Sequence, residues 1–180
     1  MLVISTSLPS TRAQRRRIAL SRSFQVRAGG VRNKLPAMTI LDRFRLDDRV
    51  AIVTGASSGL GVSFARALAE AGADVALGAR RAEKLEETRS SVEETGRRAI
   101  AVETDVSVPE QCQRLVDETV DAFGRVDILV NNAGMGTAVP ATREEPDQFR
   151  QVIDVNLNGC YWLAQACGRV MERGRLSYGV

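Results

Sequence analysis

The 180-residue sequence contains no histidine. That excludes Ser-His-Asp and Cys-His nucleophilic catalysis and any zinc site built on imidazole. Cysteine is scarce: Cys112, Cys160 and Cys167 are odd in number and form no C-x-x-C pair. Neither a disulfide framework nor a cysteine metal site is indicated, so no metal is expected and a reducing compartment fits. Each cysteine falls in a helical pattern and reads as a small core or boundary residue. Lysine occurs only as Lys34 and Lys84, and tyrosine only as Tyr161 and Tyr178. No apolar run approaches the roughly 18 residues of a membrane span, so no membrane role is expected.

Acidic residues are missing from one end. Residues 1–41 hold eight basic side chains and no acid. The other 139 residues hold 17 basic and 22 acidic side chains, a net charge of −5, although the whole chain is at +3. The bulk of the chain is therefore mildly acidic, and nucleic acid is not an expected partner. Residues 1–37 are rich in Ser and Arg, with a cluster at Arg15-Arg16-Arg17. This composition fits an organellar transit peptide, mitochondrial or plastid. It also fits a disordered extension ahead of a true start at Met38, and that reading is preferred, with a cytoplasmic location. Met1-Leu2-Val3-Ile4 is too short for a secretory apolar region. The expected division is a basic extension, 1–37, and one domain, 38–180.

From residue 48 the chain alternates between two patterns. Apolar runs at 50–54, 74–79, 98–103 and 126–131 fit strands buried on both faces. Helical patterns lie between them. The first, about 59–71, is expected to bury Phe64, Ala65, Leu68 and Ala69. The third carries Cys112, Leu115, Val116, Thr119, Val120 and Phe123, and Ser107-Val108-Pro109-Glu110 reads as its capping box. Gly72, Gly96 and Gly124 each end a helix before a new strand. The last pattern, Asp147 to Glu172, gives Phe149, Val152, Ile153, Leu157, Cys160, Leu163 and Ala164 a broad apolar face. Gly159 interrupts it, which suggests close packing or a functional constraint. A β-α unit recurring every 24 to 28 residues predicts an α/β fold, a parallel sheet with crossover helices.

The first strand runs into Thr54-Gly55-Ala56-Ser57-Ser58-Gly59-Leu60-Gly61. Glycines there allow a tight turn and close approach of the backbone to a pyrophosphate, and the following helix offers its N-terminus to the anion. An acid about 20 residues further on would take the ribose hydroxyls of NAD. Ala79, 24 residues past Gly55, cannot do so, and Arg80 and Arg81 follow it. A guanidinium suits a 2′-phosphate, so Arg80 points to NADP(H), with NAD(H) less favoured. Asp105 and Val106 close the third strand at its carboxyl end, where parallel sheets bind ligands. Asp105 can accept from an adenine amino group, cap the next helix with Ser107, or do both. Asn131-Asn132-Ala133-Gly134 closes the fourth strand at the same edge, and its small residues leave room for a flat ring.

The glycine-rich segment, Asp105-Val106, Asn131-Asn132-Ala133-Gly134 and Asp154-Val155-Asn156-Leu157-Asn158-Gly159, in this order and spacing, resemble the classical short-chain dehydrogenase/reductase family. The resemblance covers residues 48 to about 172 and implies a Rossmann-like, doubly wound parallel sheet, its N-terminal part only, with about four strands and four helices. It implies an oxidoreductase on a carbonyl or alcohol of a small molecule. It places Gly55, Ser57, Ser58, Gly59, Leu60 and Gly61 on the pyrophosphate side and Arg80 at the NADP selector. Asp105 and Val106 would meet the adenine, and Asn132, Ala133 and Gly134 the nicotinamide-side ribose. Asn156 corresponds to the catalytic asparagine, and residues 135–146 to the substrate entrance. The last helix is the surface through which copies would associate.

The departure lies in the family's Tyr-x-x-x-Lys pair. Four residues after Tyr161 stands Gln165, and Tyr178 is followed by only two residues. The expectation is a chain truncated before that pair and catalytically inactive. Its fourth strand is then an open apolar edge. The alternative is a half-fold that binds nucleotide or a partner without turnover.

Overall fold

The computed structural model describes Leu2, Val3 and residues 39–176. The expectations placed on residues 4–38 and on Tyr178 lie outside the described residues. Contacts divide the chain into two units, Met1–Ile4 with Arg45–Val180, and Ser5–Phe44. The described end of the smaller unit is a 3-10 turn, Leu41–Phe44, held by the Asp42 carboxylate accepting from the Thr39 N–H and hydroxyl.

The larger unit is built on five strands: β1 (Leu2–Val3), β2 (Val50–Thr54), β3 (Asp74–Ala79), β4 (Ala99–Glu103) and β5 (Ile128–Val130). Their spatial order is β1-β5-β2-β3-β4. Strands β2 to β5 are mutually parallel, as the β-α repeat requires, with Ile52 opposite both Ala76 and Leu129. Strand β1 pairs antiparallel with β5, Leu2 opposite Val130 and Val3 opposite Leu129. The expected open edge at the fourth parallel strand is thus covered over two residues, by a segment too short and apolar to have signalled a strand.

Four helical stretches cover the sheet. α1 (Leu60–Glu70) and α2 (Ala82–Glu93) pack on one face; α3 (Pro109–Phe123) and the terminal helix pack on the other. The alternation of β2 shows why both faces are apolar. Ile52 joins Val102, Leu115, Val116, Leu163 and Cys167, while Val53 joins Ala65, Ala69, Leu77, Leu85 and Val92. Gly78 is needed here, because a Cβ would stand 2.6 Å from Leu115 Cδ2.

Three local expectations are corrected. Phe64 is exposed, and α1 buries Gly61, Ala65 and Ala69 instead, because small residues let this helix lie close to the sheet. No capping box forms at Ser107; the N-cap of α3 is Val108, and Ser107 donates its N–H and hydroxyl to Asp105 Oδ1. The last apolar pattern is not one face. It divides into α4 (Pro146–Ile153), a π turn (Asp154–Asn158) and α5 (Gly159–Leu176). The wider π turn changes the helical phase. Phe149 and Leu157 therefore face outward at 55% and 60% exposure, while Leu163 is fully buried. Gly159 is explained by close packing: a Cβ there would meet Val106 Cγ2 at 2.8 Å.

Two carboxylates tie the amino-end of the sheet. Asp74 holds Arg97 at 2.7 Å and Arg98 at 2.6 Å. Asp127 accepts from Arg49, Arg125 and the Val50 N–H. Burial pushes both carboxyls up, but the arginine and backbone hydrogen bonds outweigh it and leave both below the usual range. A lowered folded pKa stabilises above the unfolded value, about 3.9, and that stabilisation disappears as pH falls through the folded value. The melting temperature is expected to be flat from pH 7 to 5 and to fall below about pH 4. Asp74→Asn should lower the plateau and flatten the acid limb. Circular-dichroism melts across pH check this; an unchanged acid limb in Asp74→Asn would remove Asp74 from the account.

Candidate nucleotide-binding site

The carboxyl ends of β2, β3, β4 and β5 gather the residues singled out from the sequence. The turn after β2 is set by glycine. Gly55 has φ +65° and Gly59 φ +59°, backbone conformations that side chains other than glycine's adopt at a cost. A Cβ at Gly61 would stand 2.3 Å from the Gly55 carbonyl oxygen, so helix and turn touch directly. Above Gly59 a Cβ would meet nothing within 4 Å, so the loop faces open space.

Helix α1 begins at Leu60 with no side-chain cap. Its first N–H groups are left to a ligand or solvent, and the helix dipole adds positive potential at the same point. An anion the size of a phosphate fits this arrangement. A nicotinamide dinucleotide bound here would supply hydride chemistry.

The loop is anchored from two sides. Thr54 is buried, and its Oγ1 accepts from the Asn132 and Ala133 N–H groups, each at 3.1 Å. Asn132 returns its side-chain amide to the Thr54 carbonyl at 2.9 Å. These bonds tie the end of β5 to the end of β2. Asn131 serves a different tie, donating to the Cys160 carbonyl at the start of α5. On the other side Thr88 of α2 donates to the Ala56 carbonyl at 2.8 Å.

Past β3, Arg80 is exposed and its charge acts on Asp105. Arg81 does something the sequence did not reveal. Its guanidinium donates to Ser57 Oγ at 3.0 Å and Ser58 Oγ at 2.6 Å. The signal available was the doubled arginine; nothing in the sequence said which would turn toward the loop. Arg81 thus lies against the glycine-rich turn, Arg80 lies toward Asp105, and Ala79 leaves no carboxylate at the end of β3.

Asp105 is raised by partial burial, but hydrogen bonds from Ser107 and the charge of Arg80 bring its carboxyl below the usual range. Its N–H donates to Gln111 Oε1. Val106 is buried beneath Gly159, with its carbonyl accepting the Cys112 thiol. Burial pushes the Cys112 and Cys167 thiols up to about 12, so neither is a nucleophile.

Asn156 sits in the π turn. Its Oδ1 accepts from the Met135 N–H and its Nδ2 donates to the Met135 carbonyl, both at 2.8 Å. That pair fixes the chain just beyond Gly134, whose missing Cβ would lie 3.4 Å from Asn156 Oδ1. The structure therefore brings Asn156 beside Gly134 and Met135, the residues that follow Asn132 and Ala133 in the chain. Tyr161 is exposed, and its hydroxyl accepts from Gln165 at 3.3 Å.

Comparison with known proteins agrees with this geometry. The family described as short chain dehydrogenase matches residues 49–177. A sorbose reductase from Candida albicans is 33% identical over 144 residues, 79% of this chain and 51% of that protein. D-threitol dehydrogenase from Mycolicibacterium smegmatis is 37% identical over 132 residues, 73% of this chain and 51% of that protein. Among solved structures, a short-chain alcohol dehydrogenase from Sinorhizobium meliloti superposes with a TM-score of 0.70 at 45% identity, covering 72% of this chain and 52% of that one. NAD+-bound xylitol dehydrogenase gives a TM-score of 0.69 at 35% identity, over 71% and 50%. The chain spans about half the length of the relatives it matches. With its Rossmann-like sheet, uncapped α1 and asparagine-braced glycine turn, it belongs to the short-chain dehydrogenase/reductase family.

Proposed function

We propose that this chain is the nucleotide-binding part of an NADP(H)-preferring oxidoreductase acting on a carbonyl or alcohol of a small molecule. The observation that carries the cofactor preference is the end of β3: Arg81 donates to Ser57 and Ser58 of the glycine-rich turn, the neighbouring Arg80 is exposed, and Ala79 stands where NAD recognition needs an acid. The xylitol dehydrogenase that it resembles is bound to NAD+, so the preference depends on this chain's own residues. Gly55, Ser57, Ser58, Gly59, Leu60 and Gly61 hold the pyrophosphate side, Arg80 the 2′-phosphate, and Asp105 and Val106 the adenine. Asn132, Ala133 and Gly134 flank the second ribose, and Asn156 supports the proton path.

The 180 residues as they stand hold no Tyr-x-x-x-Lys, so they bind cofactor without turning it over. A second reading, a half-fold that engages another chain, is favoured by the outward stripe of Phe149, Leu157 and Tyr161 on α4, the π turn and α5. Copies would associate through that face.

Arg80→Ala should weaken NADPH at least tenfold and leave NADH within twofold. Titration calorimetry of both cofactors on wild type and variant checks this. Equal loss for the two would remove Arg80 from the selector role.

A further inference from the structure

Helix α2 carries a polar side chain in the middle of its buried face. It buries Leu85, Thr88 and Val92, and Leu85 and Val92 join the apolar cluster around Val53 and Leu77. Thr88 is 4% exposed. A valine has nearly the same shape and would pack there without carrying a hydroxyl into the core. Burying a hydroxyl is costly unless it is hydrogen-bonded, so the partner accounts for the residue. A threonine inside a helix commonly donates back to the carbonyl four residues earlier. Thr88 Oγ1 does lie 3.2 Å from the Lys84 carbonyl, but that oxygen already takes the Thr88 N–H of the helix. The shorter contact, 2.8 Å, runs to the Ala56 carbonyl in the glycine-rich turn.

Ala56 is thereby held at both ends. Its N–H donates to the Gly78 carbonyl of β3 at 3.3 Å, and its carbonyl accepts from Thr88. Ala56 is fully buried, so water does not substitute for either partner. A trans peptide is planar, with its C=O and N–H opposed. Fixing the Ala56 carbonyl toward α2 therefore fixes the Ser57 N–H away from α2, and no described residue accepts that N–H. The same helix holds the next two residues. Arg81, the N-cap of α2, donates to Ser57 Oγ and Ser58 Oγ. Each hydroxyl accepts from the guanidinium and donates to no described residue, which leaves both protons for an anion or solvent.

We propose that Thr88 is a positioning residue of the nucleotide site. Its hydroxyl sets the plane of the Ala56–Ser57 peptide, so that the turn keeps the Ser57 N–H directed away from α2 as a donor to the pyrophosphate half of the cofactor. The identity of that ligand rests on the cofactor reading above. Both nicotinamide dinucleotides carry the same pyrophosphate, so the effect of Thr88 is the same for the two, unlike that of Arg80.

The decisive variant is Thr88→Val, which removes the hydroxyl and keeps the shape. Thr88→Ser keeps the hydroxyl and is the rescue. Titration calorimetry on the full chain, at a temperature well below the melting transition, should show NADPH and NADH each weakened about tenfold in Thr88→Val. Thr88→Ser should bind both as the wild type does. A hydroxyl that served stability alone would lower the melting temperature of Thr88→Val and leave both affinities of the folded protein unchanged. Hydrogen exchange without ligand should show the Ala56 amide about tenfold faster in Thr88→Val, with Ile52 in the middle of β2 unchanged. If Thr88→Val loses its melting transition, Thr88→Cys takes its place, since a thiol is a weak donor, with the same losses expected. Unchanged affinities, a loss confined to NADPH, an equal loss in Thr88→Ser, or unchanged exchange at Ala56 would overturn the proposal. A wild-type chain that binds neither cofactor would overturn the cofactor reading instead, and exchange at Ala56 would still decide whether Thr88 sets the turn.

Discussion

The purified 180-residue protein is expected to consume no NADPH above a matched blank when mixed with a panel of ketones and aldehydes. Hydride transfer to a carbonyl leaves an alkoxide, and the alkoxide must take a proton. Loss of a positioned acid costs on the order of 10²–10⁴-fold. Nothing among the described residues replaces it. Asn156 has an amide that does not titrate near neutral pH, and both its polar atoms are occupied by Met135. Tyr161 is exposed and bonded to Gln165, which stands at the position a partner lysine would need. Lys84 belongs to α2 and pairs with Glu87. Cys112 and Cys167 are held as thiols by burial. Absorbance at 340 nm measures the outcome. Turnover that survives both Tyr161→Phe and Tyr178→Phe would mean that another acid exists. Turnover abolished by Tyr178→Phe alone would mean that the tail builds a working site.

Gly61→Ala is expected to be the most damaging single-methyl substitution among the described glycines. The new Cβ would lie 2.3 Å from the Gly55 oxygen and 2.8 Å from both the Gly55 carbonyl carbon and Asn132 Nδ2. Two of those atoms are backbone, and the third is bonded to Thr54. The turn has little room to retreat, because a Cβ built on Gly55 would already stand 2.8 Å from Ala133 Cα. The cost should be about 3 kcal/mol, a fall in melting temperature near ~10 °C, with loss of nucleotide binding. Gly59→Ala is the control. It meets no neighbour but is asked to hold φ 59° with ψ −135°, a conformation outside the left-handed helical region that costs about 1–3 kcal/mol. Thermal melts of the two variants side by side would show the order; equal shifts would mean that the contact between α1 and the turn is softer than described.

The fold was legible because its signals are local and repeated. Val50–Thr54, Asp74–Ala79 and Ala99–Glu103 are apolar runs bounded by glycines, and parallel strands buried on both faces must look that way. What escaped depends on contacts distant in sequence or on a change of phase. The pairing of Leu2–Val3 with β5 joins residues more than 120 apart, and two residues carry no period. The π turn at Asp154–Asn158 has no composition of its own, so one helical face was read through it and Phe149 and Leu157 were placed inside. The site was legible in its glycines, whose spacing reflects a backbone constraint. The role of Arg81 was not, because two adjacent arginines differ only in the direction each side chain takes once Ser57 and Ser58 are folded beside them.

The proposed function requires that these residues bind a dinucleotide and prefer one with a 2′-phosphate. Titration calorimetry of the unmodified chain with NADPH and NADH tests it most directly. Saturable binding of both, with NADPH at least tenfold tighter, is the predicted result. Failure to bind either cofactor, or tighter binding of NADH, would contradict it.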